Sequence, residues 1–106
     1  MMTNQEREQR VEHNLIFILA EMEVQIGLAN NYPEGGLSFA EEMAQMSEYI
    51  HTAGEYGLAY ESIIANLETV PFKLSGVAAV RLLEAGLILG FKTERDEDKA
   101  FDFRAR

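Results

Sequence analysis

Hydrophobic residues recur at spacings of three and four along most of the chain, which is the period of an α-helix. The first helical segment begins at Thr3, which can form a capping box with Glu6, and is expected to end around residues 27–31. Its apolar positions are Val11, Leu15, Ile18, Met22, Ile26 and Ala29. The sequence therefore predicts a long first helix, followed by a loop over residues 30–36.

A second helix is predicted from Ser38, which can form another capping box with Glu41. Gly54 follows its end, and we expect a left-handed conformation there because almost no linker remains before the third helix. So short a connection makes the second and third helices antiparallel neighbours. The apolar stripes of the two helices are Phe39, Met43, Met46 and Ile50, and Tyr56, Tyr60, Ile63 and Leu67.

A fourth helix is predicted from Ser75 to about Leu89, with Gly90 as the residue that ends it. Only Arg81 and Glu84 are charged within it. A helix that is apolar on most sides is usually packed by several neighbours, so we expect this helix at the centre of the fold. The predicted core is Leu15, Ile18, Met22, Met43, Ile50, Ile63, Leu67, Val80, Leu83 and Leu87.

The predicted fold class is all-α, a compact bundle of about four helices with a charged C-terminal tail. We expect a helical domain over residues 1–91 and the tail over residues 92–106. Phe101 and Phe103 are the only large apolar residues that could anchor the tail. The alternation over residues 101–104 is compatible with one short strand.

Composition limits the functions that this chain can have. It has 106 residues with a formal net charge of −9, which argues against binding to nucleic acid or to an anionic membrane surface. It has no cysteine, which excludes disulfides, thiolate metal sites and thiol catalysis. The longest apolar run, Leu15 to Ala20, is too short to span a bilayer, and the first residues do not resemble a secretory signal. We therefore expect a cytoplasmic protein.

The acidic residues are concentrated in one part of the chain. From Val11 to Phe72 there are ten glutamates and neither a lysine nor an arginine. Outside this stretch the remaining eight acidic residues are slightly outnumbered by the nine basic ones. Ordinary surfaces mix both signs. The stretch is therefore typical of an electronegative docking surface, and a merely solvated acidic exterior is the alternative.

Motifs for catalysis or metal binding are incomplete. Glu48 and His51 have the Glu-x-x-His spacing of di-iron bundles, but such a site needs a second pair, and Glu12-His13 has the wrong spacing. No phosphate-binding glycine loop and no nucleophile elbow is present. Glutamates seven residues apart lie on one side of a helix, which is the pattern of a solvated face rather than of a cleft. We expect no enzymatic activity, no metal and no cofactor.

The residues predicted to bind a partner are the glutamates of the second and third helices and two tyrosines beside them. Tyrosine is enriched at interfaces because it offers a large rigid surface and a hydroxyl group. Core packing is the alternative role for the tyrosines. The predicted set is Glu41, Glu42, Glu48, Tyr49, Glu55, Tyr56, Glu61 and Glu68.

The run from His51 to Glu61, HTAGEYGLAYE, resembles the helix–turn–helix centre of bacterial toxin immunity proteins of the MafI and CdiI types, which act in contact-dependent growth inhibition. Their centre has a Gly-Glu-aromatic-x-Leu/Ile-Ala string, with a leucine about eight residues later, as Leu67 is here. A later helix ends in a Leu/Met-Gly pattern, as Leu89-Gly90 does. The resemblance covers about Phe39 to Gly90. It implies a cytoplasmic protein that binds and neutralises the C-terminal domain of a cognate toxin, typically a cationic nuclease that cleaves RNA or tRNA.

Two other functions remain open at this point. A small acidic adaptor or secretion chaperone would bind a basic partner segment with the same residues. A metal-binding or catalytic bundle would instead use the Glu48–His51 pair. Neither reading involves nucleic acid or a membrane as the direct partner.

Overall fold

The computed structural model describes residues 2–90, which form four α-helices and one 3₁₀ helix. No strand occurs within these residues. The predicted all-α fold is therefore confirmed. The helices are α1 (Asn4–Glu23), the 3₁₀ helix (Ile26–Asn31), α2 (Phe39–His51), α3 (Tyr56–Thr69) and α4 (Gly76–Leu89).

Side-chain caps fix the beginning of three helices. Thr3 and Glu6 form a complete capping box at α1, and Ser38 forms one with Glu41 at α2, as predicted. The Ser75 hydroxyl accepts a hydrogen bond from the amide of Ala78 at α4. Each cap satisfies backbone amides that the first helical turn leaves without partners.

Two glycines end helical segments in the left-handed region, as predicted. Gly54 has φ +63° between α2 and α3, and Gly90 has φ +85° after α4. The turn at Gly54 is tight, and the amide of Glu55 donates to the carbonyl of Tyr49 across it. A residue with a Cβ resists this backbone conformation.

The central helix is α1, which packs against α2, α3 and α4. Its apolar stripe is completely shielded from solvent at Leu15, Ile18 and Met22. The stripe of α2 covers one side of it, and all four of its predicted members are buried. The buried core is Val11, Leu15, Ile18, Leu19, Met22, Phe39, Met43, Met46, Ile50, Ala59, Ile63, Ala78 and Ala85.

The expectation that the fourth helix is central is wrong. Val77, Val80 and Leu83 of α4 are exposed to 57%, 67% and 53%, although Val80 and Leu83 were expected in the core. The side of α4 that faces the protein is made of small residues, with Ala78 and Ala85 completely buried. Small residues let helices approach closely, so α4 is anchored by one side alone and its larger aliphatic residues remain outside.

Gly86 of α4 lies against the ring of Tyr60 of α3. A Cβ atom at this position would lie 2.6 Å from the hydroxyl oxygen of Tyr60. Tyr60 itself is half-buried, as are Tyr56 and Leu67 of the predicted α3 stripe. Of the predicted stripe, Ile63 is fully shielded as predicted. Ala59 is fully shielded as well, so the buried side of α3 is rotated from Tyr60 towards Ala59.

The first helix is shorter than its hydrophobic pattern predicts. It ends at Glu23, before the expected end at residues 27–31, and Ile26, a predicted apolar position of the helix, lies exposed in the 3₁₀ helix that follows. Gln25 explains the change of direction, because its side chain donates to the carbonyl of Lys73 and accepts from the amide of the same residue. These bonds tie the end of α1 to the segment that leads into α4.

None of the helices in residues 2–90 is both long enough and apolar enough to cross a membrane. The C-terminal tail, with its expected anchors Phe101 and Phe103 and the short strand considered at 101–104, lies outside the described residues.

Truncating one leucine in α1 and one in α4 should distinguish a buried core position from a position on the exposed side of α4. Leu15→Ala should lower the free energy of unfolding by about 2–5 kcal/mol, because it opens a cavity in a completely buried site. Leu83→Ala should lower it by less than about 1 kcal/mol, because the side chain is already half in solvent. Urea unfolding of both variants measures the difference, and equal losses would contradict this packing.

Two glycine substitutions test the turn before α3. Gly54→Ala should destabilise the protein by about 1–2 kcal/mol, because alanine resists a positive φ. Gly57→Ala is the matched control, since Gly57 lies in the first turn of α3 with open space around its Cα. It should be neutral or stabilise by up to about 1 kcal/mol. Thermal unfolding, followed by circular dichroism, compares the two variants. If Gly54→Ala were as stable as wild type, the left-handed conformation of Gly54 would be contradicted.

Candidate functional site

Helices α2 and α3 run antiparallel, as the short turn between them requires. Glu42, in the first turn of α2, accepts a hydrogen bond from the side-chain amide of Asn66 near the end of α3, at 3.3 Å. At the other end the two helices are joined by residues 52–55. The outer sides of α2 and α3 are therefore adjacent along their length.

The outer sides of both helices carry glutamates that point away from the core. Each of these glutamates is two residues from a buried position, which is about 200° around a helix. Glu55 lies in the turn between the helices and is exposed as well. We call the five exposed residues the acidic face: Glu41, Glu48, Glu55, Glu61 and Glu68.

No basic side chain neutralises the acidic face within the described residues. Neither α2 nor α3 contains lysine or arginine, and the one salt bridge in residues 2–90 joins Arg10 to Glu84.

The backbone amide of Ser38, followed by its hydroxyl, lowers the pKa of Glu41 by hydrogen bonding to the carboxylate. Glu41 therefore holds its negative charge below the pH at which an ordinary glutamate loses it.

Glu42 also belongs to the predicted set, but its carboxylate is used inside the fold. It is half-buried and accepts a hydrogen bond from the side-chain NH₂ group of Asn66. The side-chain oxygen of Asn66 in turn accepts a hydrogen bond from the hydroxyl of Tyr32. Burial, and then the charge of Glu42, raises the pKa of Tyr32. This network links the loop before α2 to both α2 and α3.

The two predicted aromatic anchors are also partly used inside the fold. Tyr56 is half-buried, and its hydroxyl donates to the carboxylate of Glu12 at 2.8 Å, which ties α3 to α1. That hydrogen bond, followed by burial and by the charges of Glu12 and Glu8, raises the pKa of Tyr56 to about 12. Tyr49 is half-buried against the core. Of the eight predicted residues, the structure thus leaves the five glutamates of the acidic face most open to solvent.

The Glu48–His51 pair lies exposed on α2. Within residues 2–90 no group of three or more histidine, aspartate or glutamate side chains is arranged to hold a metal ion. In chemical terms, the acidic face offers several separate carboxylates that can pair with cationic groups of another molecule.

A second polar cluster, between α1 and α4, was not predicted from the sequence. Asn14 is buried in the middle of α1 and donates to Glu84 at 2.7 Å, while it accepts from Arg81 at 3.3 Å. Arg10 completes the cluster through its salt bridge to Glu84. The sequence does contain one indication of this cluster. Asn14 follows Val11 by three residues and so lies on the apolar side of the helix, and a buried polar side chain usually has a polar partner.

No protein-family model matches the chain, and no curated protein or solved structure matches it either. The proposals below therefore depend on the chain's own residues and on the sequence resemblance around Gly54.

The Tyr56–Glu12 hydrogen bond predicts a loss of stability at alkaline pH. Because the pKa of Tyr56 is about 12 in the folded protein and about 10 in an unfolded chain, the stabilisation is complete below pH 10 and disappears as the pH rises towards 12. Tyr56→Phe should remove that pH dependence. Tyrosinate absorbance is followed as a function of pH for wild type and for Tyr56→Phe, and the difference between the two curves is the titration of the Tyr56 hydroxyl. A midpoint of this difference curve near pH 10 would contradict the hydrogen bond.

Proposed function

We propose that this chain is an immunity protein that binds a cognate toxin domain, most readily a cationic nuclease, through the acidic face and thereby neutralises it. The observation that carries the proposal is the five exposed glutamates of the acidic face, which lie on two adjacent helices and the turn between them, where lysine and arginine are absent. The resemblance of His51–Glu61 to the centre of immunity proteins supports the same function from the sequence.

The chemistry of a nuclease explains why an acidic inhibitor suits it. A protein that cleaves RNA or DNA binds phosphates with basic side chains. Carboxylates presented to those side chains can pair with them in place of the substrate's phosphates. The glutamates of the acidic face that share a helix are seven residues apart, which corresponds to about 10 Å along the helix axis.

The exposed position of these carboxylates decides which rate constant they affect. Exposed charges contribute little affinity individually, because water and salt screen them. They do steer an oppositely charged partner, and steered association reaches about 10⁸–10⁹ M⁻¹s⁻¹ at low salt. The acidic face should therefore act mainly on the association rate, and partly exposed aromatic residues such as Tyr49 should act on dissociation.

Charge reversal within the acidic face tests this mechanism. Glu48→Lys combined with Glu55→Lys should slow association with the toxin domain by about tenfold or more at low salt, and the difference should shrink in 1 M salt, where the screening length falls to about 3 Å. Stopped-flow or biosensor kinetics against the product of the neighbouring upstream gene measure the rates, and circular dichroism verifies folding.

The matched control changes the same total charge elsewhere. Glu23→Lys combined with Glu34→Lys alters two exposed glutamates that lie outside α2 and α3. It should slow association much less than the double change in the acidic face. Equal effects would mean that only net charge matters, and unchanged protection of cells by Glu48→Lys with Glu55→Lys would refute the acidic face as the binding surface.

The alternative function, a small acidic adaptor or secretion chaperone, is favoured by a different observation. Val77, Val80 and Leu83 expose aliphatic surface on α4, which suits a protein that holds a partner segment. Co-expression distinguishes the two functions. An immunity protein restores growth in the presence of its toxin, whereas an adaptor binds a basic segment of its partner without neutralising any toxic activity.

A further inference from the structure

A shallow groove of about 560 Å³ lies between α1 and α4, away from the acidic face. Val77 and Val80 line it on α4, and the polar cluster of Arg10, Asn14, Arg81 and Glu84 lines it as well. Val80 is one of the most exposed aliphatic side chains of the described residues. Any segment that covers the groove therefore removes aliphatic surface from water, which is favourable.

Arg81 lies in this groove and forms no salt bridge with a carboxylate of residues 2–90. Its guanidinium carbon lies 4.5 Å from the centre of the Phe17 ring, and a guanidinium N–H donates to the side-chain oxygen Oδ1 of Asn14. Both of these partners are uncharged. The one salt bridge in this part of the chain uses Arg10, and Glu84 is engaged by Arg10 and by Asn14.

The contacts of Arg81 also hold its side chain in place. Asn14 is almost completely buried and is itself fixed by its short hydrogen bond to Glu84. The ring of Phe17 supports the flat side of the guanidinium. A planar group held in this way can receive a carboxylate through two parallel hydrogen bonds with little loss of side-chain entropy.

The charges of α1 are divided between its two sides. Arg10 faces α4 through its contact with Glu84, whereas Glu12 faces α3 through its bond from Tyr56. Glu8 is near enough to Tyr56 to contribute to its raised pKa, so it belongs to the α3 side too. The residues of α1 that line the groove are Arg10, His13 and Asn14, so α1 contributes no carboxylate to it. Glu21, nearer the end of α1, accepts hydrogen bonds from Ser75 and lies outside the lining.

We propose that the α1–α4 groove binds an internal segment of a partner protein that presents one aspartate or glutamate side chain between aliphatic side chains. The carboxylate pairs with Arg81, and the aliphatic side chains cover Val77 and Val80. An internal segment fits because the groove follows two helices and is open to solvent. This site is separate from the acidic face and selects the opposite charge, so it goes beyond the function proposed above.

Nuclear magnetic resonance on the full chain tests this site with two synthetic peptides. Both are blocked at each end and rich in leucine, and they differ only in a central glutamate or glutamine. The glutamate peptide should bind at least about tenfold more tightly, because a hydrogen bond to a charged group is the stronger one. It should shift the signals of the Arg81 guanidinium and of the Asn14 side-chain amide.

Three variants complete the experiment. Arg81→Gln should abolish the preference for glutamate, because it removes the positive charge that pairs with the carboxylate. Val80→Ser should weaken both peptides about equally, whereas Leu83→Ser, on the same helix but outside the groove lining, should leave both unchanged. Thermal unfolding verifies that each variant is folded.

Several results would overturn the proposal. These are equal binding of the two peptides, no binding of either, or a preference for glutamate that persists in Arg81→Gln. A third peptide carries the central glutamine and a free C-terminal carboxylate. If it bound as tightly as the blocked glutamate peptide, the groove would be assigned to a chain end instead. A cross-link in dilute solution between the groove and residues 92–106 of the same molecule would assign it to this chain itself.

Discussion

The burial of one side of α1 is the interaction on which the other features of this fold depend. Leu15, Ile18 and Met22 are completely shielded because three helices contact the same central rod. Each of these helices therefore has one side committed to α1 and another side left to solvent. The surfaces available for binding are the sides that the packing around α1 does not use.

Polar contacts at the edges of this core fix how the helices are oriented around it. Tyr56 bonds to Glu12 between α3 and α1, and Asn14 bonds to Glu84 between α1 and α4. Ser75 reaches Glu21 near the other end of α1 through its amide and its hydroxyl. Hydrogen bonds of this kind add little net stability each, but an unpaired buried polar group is costly, so they disfavour other rotations of the helices.

The same packing separates the charges of the molecule. The exposed glutamates of α2, of α3 and of the turn between them form the acidic face, whereas Arg10 and Arg81 lie between α1 and α4. A surface of one sign attracts a partner of the other sign over distances of about a Debye length. The two proposed sites can therefore select different partners, since they differ in both sign and apolar content.

Local features of the sequence determined the parts of this protein that depend on neighbouring residues. The capping boxes at Thr3 and Ser38, the left-handed Gly54 and the buried stripe of α2 were all predicted, because caps, turns and helical periodicity act within a few residues. The exposed glutamates of the acidic face follow from the same periodicity.

Only the tertiary structure decided which side of each helix is covered when the sequence offers more than one. In α4 nearly every side is apolar, so its pattern is compatible with burial of either the alanines or Val80 and Leu83. The alanines face inward because close contact with α1 and α3 requires small residues. For the same reason the partners of Tyr56 and Asn14 could not be predicted, since a hydrogen bond between residues far apart in the chain forms only after the helices have packed.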